Sequence, residues 1–234
     1  MHDRPPGETG PLIRHYQELL REHSGAAAVG WRTSDVQQRN FASVAQVFSG
    51  DREPFSVHEV GCGLGHFADF LEKHYPRATY HGSDIVIEMA ACAKERRADL
   101  DVRLHDILSS YPPEADYVIE SGIFNLRIEQ PEETWRSFVR RMLRAMYAFA
   151  RKGIAANFLT SHVDWKRELG YYENPADILT FAIEELSRFA EIRHAYYPWE
   201  FTLLVYREPQ ALRFAPPPVA WPPSTRERTD PRSS

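Results

Sequence analysis

Three acidic side chains lie at the ends of predicted strands, close to a short glycine-rich segment. The segment EVGCGLG (59–65), which starts at Glu59, closes the β-prone run FSVHEV and precedes a helical pattern. Glycines let the backbone turn sharply and approach a ligand without an intervening Cβ, and the free N–H groups of a helix start favour polar or anionic groups. Asp84 ends the second predicted strand and Asp106 the third. A carboxylate about 20 residues beyond such glycines can hold both hydroxyls of a ribose, so the spacing predicts a nucleotide site.

The glycine spacing bears on which nucleotide this would be. A dinucleotide-binding loop would read GxGxxG, and its third glycine would stand where this chain has His66. The chain instead reads GxGxG, with Gly61, Gly63 and Gly65. This mismatch at His66 disfavours an NAD(P)-dependent oxidoreductase on a related Rossmann fold, which is kept as the alternative enzyme class. The alternative that is not an enzyme is a partner subunit that has the same fold but no catalytic activity.

An alternation of strands and helices predicts the sheet that would carry these acids. Helical spacing at 12–20 and after Ser34, a plausible N-cap, predicts two helices before the first strand. Strands and helices then alternate as far as a fifth strand, GIAANFL, which is typical of an open, mostly parallel sheet with helices on both faces. The last two strands, FAEIRHAYY and WEFTLLVYR, flank Pro198 with too short a link for a helical crossover, so they should form an antiparallel hairpin.

The distribution of proline sets the expected limits of the globular part. The 234 residues include 43% hydrophobic side chains, which is enough for a packed core and fits one domain. Of 17 prolines, three lie in the first eleven residues and seven between Pro209 and Pro231. We expect a flexible tail at 1–11, a single domain at 12–208 that starts with a helical cap at 12–50, and a disordered proline-rich tail at 209–234.

Four segments together resemble successive motifs of class I S-adenosylmethionine-dependent methyltransferases: VHEVGCGLGHFADFL, HGSDIVIEMA, VRLHDIL and ADYVIESGIFN. The resemblance covers roughly residues 30–207 and includes the final hairpin. The segment VGWRTSDVQQRNFASV also resembles a bacterial group of small-molecule enzymes. The resemblance implies an α/β fold with a seven-stranded, mostly parallel Rossmann-like sheet in the order 3-2-1-4-5-7-6. It also implies S-adenosylmethionine as the cofactor.

The resemblance implies a role for each matching residue. Glu59 and the three loop glycines match the motif that packs on the methionine part of the cofactor, and Asp84 matches the acid that holds the ribose. Later strand ends match the surroundings of the adenine and of the reacting methyl group, with Ile85, Asp106 and Ile107 at the adenine and Glu120, Ser121 and Gly122 at the methyl group. Arg39, or Trp31 and Gln38 near it, is expected to meet the cofactor carboxylate from the preceding helix.

Three residues beyond the later strands are candidates for contact with a methyl acceptor. Holding the acceptor in line with the S–CH3 bond can supply roughly 7 to 11 kcal/mol of barrier reduction, and a general base adds about 10²- to 10⁴-fold for a hydroxyl acceptor. His162, which has Asp164 close by, and His194, which precedes two tyrosines, titrate in the range that suits such a base. Asn125 is the third candidate, as a polar group that orients the acceptor.

The net charge and the motifs of the chain restrict the classes of methyl acceptor that we expect. With 28 Lys plus Arg against 33 Asp plus Glu, the net charge of -5 disfavours a nucleic-acid partner. The residues ESGI after the fourth strand differ from the Asn-Pro-Pro-Tyr run of adenine and glutamine amino-group methyltransferases. No metal-ligand spacing is evident, which disfavours the magnesium-dependent catechol type. We expect methylation of a small molecule, at oxygen rather than at nitrogen or carbon.

The remaining expectations concern location and assembly. No apolar stretch approaches the roughly 20 residues that span a bilayer, and the two cysteines cannot form a disulfide framework. We expect a cytoplasmic protein with a small-molecule substrate and no membrane partner, and this is compatible with a homodimer.

Overall fold

A computed structural model describes residues 9–210, and most of both predicted tails lies outside the described residues. The strands are β1 (Phe55–Val60), β2 (Ala78–Asp84), β3 (Val102–Leu104), β4 (Ala115–Glu120), β5 (Ala150–Thr160), β6 (Tyr172–Glu173), β7 (Phe189–Arg193) and β8 (Glu200–Tyr206). The helices are α1 (Gly10–Glu22), α2 (Gly25–Ala28), α3 (Ser34–Val44), α4 (His66–His74), α5 (Ile87–Arg96), α6 (Glu132–Ala148) and α7 (Pro175–Glu185), and a 3₁₀ turn (Ala45–Phe48) follows α3.

The strands form one sheet in the order β3-β2-β1-β4-β5-β8-β7. The pairs from β3 to β5 are parallel, whereas β8 runs antiparallel to both β5 and β7. With its last two strands renumbered, this is the predicted order, and the predicted final hairpin is confirmed. The two-residue strand β6 is an addition that pairs parallel with Leu159 and Thr160 at the end of β5.

Helices cover both faces of the sheet because successive strand residues point to opposite sides. Val118 of β4 packs into the cluster formed with α6 and α7, while its neighbours Tyr117 and Ile119 pack into the cluster formed with α3, the 3₁₀ turn and α4. The central strands are buried on both faces, as expected for a sheet with helices on both sides. The predicted α/β architecture is therefore confirmed.

The N-terminal helices differ in detail from the prediction. Thr33, not Ser34, caps α3: its backbone is extended at φ -150, and its hydroxyl accepts a hydrogen bond from the Val36 N–H at 3.3 Å. Ser34 is already the first helical residue, so the prediction of Ser34 as the cap was wrong by one position. The helix then ends at Val44 and tightens into the 3₁₀ turn before Gly50.

The topology brings the carboxyl ends of the parallel strands and the start of β8 to one edge of the sheet. The register pairs Leu159, near the end of β5, with Glu200, the first residue of β8. In open α/β sheets this edge is where ligands bind. The fold therefore places every strand end singled out in the sequence along one line.

Candidate active site

The loop between β1 and α4 depends on its glycines. Gly61, Gly63 and Gly65 have φ of +70, +50 and +69, the left-handed region that side chains with a Cβ rarely adopt. Both Gly61 and Cys62 donate their N–H groups to the Ser83 carbonyl, at 2.8 and 3.0 Å. These bonds hold the loop against the end of β2, so the backbone is presented at the sheet edge without side chains in front of it.

Asp84 ties this loop to the next one. One carboxylate oxygen, Oδ2, accepts from the Gly63 N–H at 2.8 Å, and Oδ1 accepts from the Val86 N–H at 2.9 Å. Burial raises the pKa of Asp84, and the backbone N–H groups oppose that rise. The carboxylate thus fixes both loops and still has lone pairs for a further donor.

Glu59 lies under the glycine loop. The side chain is buried, and the Tyr80 hydroxyl donates to its Oε2 at 2.6 Å. Burial raises the pKa of Glu59 to about 8, although the Tyr80 hydrogen bond lowers it. A proton on this acid near neutral pH is therefore expected, unless a cation is bound nearby.

The adenine-side candidates gather at the ends of β2 and β3. Asp106 turns the chain after β3 and accepts from the Leu108 N–H at 3.1 Å. Ile107 is buried, whereas Ile85 is partly exposed. All three side chains, with Asp84, line one cavity.

Glu120 and Ser121, both predicted to lie near the reacting methyl group, have different surroundings at the end of β4. Glu120 is fully buried and accepts from the Asn157 N–H at 2.6 Å and the Ile123 N–H at 3.0 Å, and burial raises its pKa to about 8. Glu120 is absent from the described lining of the cavity, whereas Ser121 belongs to it. The buried Oγ of Ser121 has no hydrogen-bond partner among the described residues. Glu120 therefore shapes the loop that presents Ser121.

Helix α3 contributes a cation to the same cavity. The Arg39 guanidinium lies 3.6 Å above the centre of the Tyr197 ring, and its buried Nε and Nη2 have no hydrogen-bond partners. Trp31 also lines the cavity, where it packs against Gly122, whereas Gln38 is exposed and outside the described lining. Of the three residues proposed for the cofactor carboxylate, Arg39 lines the cavity with two unpartnered N–H donors, Nε and Nη2.

These groups surround a single cavity of about 2000 Å³. One end is formed by the glycine loop and the acids at the ends of β2 and β3. The other end reaches Trp165 and Leu169 of the segment after β5, Trp199 of the β7–β8 connection, and Glu200 at the start of β8. Ligand pockets are usually about 300 to 1000 Å³, so the space exceeds the need of one small ligand.

The three acceptor-side candidates are not brought together. Asn125 lines the cavity, but its amide donates to Asn157 Oδ1 at 3.1 Å and accepts from the Leu159 N–H at 2.9 Å, so it is used to join β4 to β5. His162 is exposed, and His194 packs its ring against Phe201 at 5.9 Å. Neither histidine is among the described residues that line the cavity.

Glu200 is a functional candidate that the sequence reasoning missed. It is buried, lines the cavity and has an Oε2 without a hydrogen-bond partner. A signal was available, because this acid is the only charged residue of the strand EFTLLVY and stands at its start, on the ligand-binding edge. Within residues 9–210 no group of three or more His, Cys, Asp or Glu is arranged to hold a metal ion, and no helix there is long and apolar enough to cross a membrane.

Comparison with known proteins identifies the family. Residues 58–146 match a family described as a methyltransferase domain. A protein of Mycobacterium tuberculosis named as a methyltransferase is 33% identical over 158 residues, which cover 65% of this chain and 93% of that protein. The chain belongs to the class I S-adenosylmethionine-dependent methyltransferases.

Two further similarities agree with the methyltransferase assignment. The ribosomal RNA small subunit methyltransferase C of Hahella chejuensis is 26% identical over 111 residues, 46% of this chain and 32% of that protein. The magnesium protoporphyrin IX methyltransferase of Synechocystis, solved with S-adenosylmethionine bound, superposes with a TM-score of 0.61 at 18% identity, covering 88% of this chain and all of that one. The second similarity supports the fold of this methyltransferase.

The buried acids of the methyltransferase predict how its stability depends on pH. The folded-state pKa values of Glu59 and Glu120, about 8, lie above the ordinary value of 4.5, so between these values the folded state holds protons that the unfolded chain has released. This stabilisation is fully present below about pH 4.5 and is lost as the pH rises through about 8. We expect the apparent Tm to fall by on the order of 10 °C between pH 6 and pH 9.

Glu59→Gln tests that pH dependence in the ligand-free protein. The variant cannot ionise, so the fall in Tm over this range should shrink. Glu53→Gln, at an exposed position before β1, should retain the wild-type slope. A Glu59→Gln slope equal to that of the wild type would show that this acid ionises freely in the folded state.

Proposed function

We propose that this methyltransferase moves a methyl group from S-adenosylmethionine to an oxygen atom of a small molecule. The observation that carries the proposal is the extent of the cavity, which continues from the glycine loop and Asp84 to Trp165 and Trp199. Its volume of about 2000 Å³ leaves room for an acceptor beside a nucleoside-sized cofactor.

The residues present fit the cofactor. Asp84 retains acceptor capacity toward ribose hydroxyls, and the loop glycines leave the backbone open to the methionine part. Arg39 has two unpartnered nitrogen atoms for a carboxylate, and Ser121 an unpartnered hydroxyl. The remaining proposed contacts are Ile85, Asp106 and Ile107 at the adenine. S-adenosylmethionine, when bound, supplies a methyl group already activated by its sulfonium.

The chain's own residues have mainly to position the acceptor and exclude water. The buried acids at the ends of β1 and β4, Glu59 and Glu120, favour a positive charge near the glycine loop once they are ionised. Glu120 holds the 121–123 loop through the Ile123 N–H. Orientation of this kind can supply roughly 7 to 11 kcal/mol without a covalent enzyme intermediate.

A small acceptor is favoured over a nucleic acid by charge and by the walls of the cavity. The net charge of -5 opposes a polyanion, although one relative is named as a ribosomal RNA methyltransferase. Apolar side chains, among them Trp165, Leu169 and Trp199, form the outer wall of the cavity. The solved neighbour named above acts on magnesium protoporphyrin IX, as its name states, and that too is a small molecule.

The proposal is tested with methyl-labelled S-adenosylmethionine. We expect S-adenosylhomocysteine to raise the Tm and NAD(H) to leave it unchanged, since only the former matches the family's cofactor. In a mixed panel of phenols, carboxylic acids, amines and total RNA, label should enter a phenol as a methyl ether or a carboxylic acid as a methyl ester. Label that enters only RNA, or only amines, would contradict the proposed acceptor.

A further inference from the structure

A buried carboxylate with one unpartnered oxygen stands at the acceptor end of the cavity. Glu200 opens β8 beside Leu159 of β5, at the edge where the parallel strands end. The residue is 7% exposed and lines the cavity, and its Oε2 has no hydrogen-bond partner. Buried polar atoms are nearly always paired, because an unpaired one destabilises the fold. A ligand that donates a hydrogen bond to this Oε2 would therefore satisfy an otherwise unpaired buried oxygen.

Two arginines and one amide side chain from other elements interact with this carboxylate. Asn40 and Arg39 approach it from α3, and Arg167 from the segment between β5 and β6. The Asn40 amide donates to the Val36 carbonyl at 3.0 Å, while its Oδ1 has no partner. Burial raises the pKa of Glu200, and the two arginines and Asn40 act against that rise. The group is thus a stronger base than an exposed glutamate, with positive charge at hand to stabilise a second anion.

Aromatic surface adjoins the same carboxylate. Trp199 and Tyr197 pack edge to face with their ring centres 5.1 Å apart, and both line the cavity. Trp199 is 52% exposed, and Trp165, which also lines the cavity, is 70% exposed. Large apolar side chains left open at a cavity favour a ligand with a flat apolar body.

We propose that Glu200 is the proton acceptor for an aromatic hydroxyl of the methyl acceptor, which lies against Tyr197 and Trp199. In this step the O–H bond breaks, its proton moves to a carboxylate oxygen of Glu200, and its electron pair stays on the acceptor oxygen as the nucleophile. The assignment rests on the proposed function, since it requires a hydroxyl acceptor beside a bound methyl donor.

Other acids and bases are less suited to this task. Asp164 and Glu168 line the cavity but their side chains are exposed, so bulk water competes with an acceptor for their oxygen atoms. Glu120 uses its oxygens on backbone N–H groups. His162 and His194 lie outside the described lining. Within residues 9–210, Glu200 combines burial, an unpartnered oxygen and a place at the acceptor end.

The test uses 4-nitrophenol as the probe, with the protein saturated by S-adenosylhomocysteine so that no turnover is needed. At one pH unit below the probe's own pKa, about a tenth of the free probe is ionised. Bound to the wild type, the probe should show a severalfold larger phenolate band without releasing a proton to the buffer, as measured by calorimetry in two buffers. An infrared difference spectrum should show a newly protonated carboxyl group.

Glu200→Gln is the decisive variant, and Glu168→Gln is its matched control in the same cavity. The first should bind the probe either as neutral phenol or with release of one proton, and the second should behave as the wild type. Unchanged S-adenosylhomocysteine affinity will show that both variants are folded. Once an acceptor is known, Glu200→Gln should lower kcat about 100-fold or more.

The outcomes separate this inference from the proposed function. Failure of S-adenosylhomocysteine to bind the wild type would contradict the proposed function and, with it, the role of Glu200. If that ligand binds, the inference alone is overturned by any one of three results: no binding of 4-nitrophenol, release of a proton from the wild type on forming phenolate, or wild-type behaviour of Glu200→Gln.

Discussion

Asp84→Asn is expected to lower the affinity for S-adenosylhomocysteine about 100-fold. The wild-type carboxylate accepts from the Gly63 and Val86 N–H groups, and an amide side chain would direct its NH2 group at one of them. Hydrogen bonds to charged groups contribute about 1.5 to 3 kcal/mol each, and each 1.4 kcal/mol corresponds to about tenfold in affinity. Loss of the ribose contact and displacement of the glycine loop act in the same direction.

Calorimetry with S-adenosylhomocysteine measures the effect, and thermal unfolding measures its structural share. Because both oxygens of Asp84 bind backbone, we also expect the Tm to fall by about 3 to 6 °C. Asp99→Asn, in an exposed position paired with Arg97, is the matched control and should leave affinity unchanged. Wild-type affinity in Asp84→Asn would remove this acid from the cofactor site.

The order of strands could be predicted because local chemistry determines it at the critical points. The glycines after β1 mark a strand that feeds a helix, and the short link around Pro198 leaves only an antiparallel pairing for the last two strands. By contrast, β6 consists of Tyr172 and Glu173, too short for any periodic pattern, and forms only because folding brings this segment beside β5. Its existence depends on tertiary contacts that no local pattern records.

The cofactor side of the site is easier to predict from the sequence than the acceptor side. Strand ends converge in a parallel sheet, so the positions of Asp84 and Asp106 along the chain suffice to predict that they share one cavity. Position along the chain also suggests the two histidines, but side-chain direction in irregular segments is set by packing: His162 is exposed to solvent, and His194 packs on Phe201. The burial that distinguishes Glu200 arises only once α3 packs on β8.

Gly61→Ala is expected to abolish measurable cofactor binding and to lower the free energy of unfolding by about 3 kcal/mol. The backbone at this position has φ +70, which costs a residue with a Cβ roughly 1 to 2 kcal/mol. An added Cβ would also lie 2.2 Å from Cγ2 of Ile123, far inside van der Waals contact. Either the glycine loop or the 121–123 loop must move, and both border the cavity.

Chemical denaturation and calorimetry on further variants separate the two causes of the Gly61→Ala effect, which are backbone strain and the clash with Ile123. Gly50→Ala, where an added Cβ has no atom within 4 Å, should change stability by less than about 1 kcal/mol and leave affinity intact. Ile123→Ala combined with Gly61→Ala removes the atom that clashes, so the double variant should recover the steric share and retain the backbone strain. If the double variant fully recovers cofactor affinity, the left-handed conformation at residue 61 is not required for binding. If its affinity is no higher than that of Gly61→Ala, backbone strain alone displaces the loop. We expect partial recovery, because the N–H groups of Gly61 and Cys62 must both reach the Ser83 carbonyl, and only the left-handed backbone directs them there.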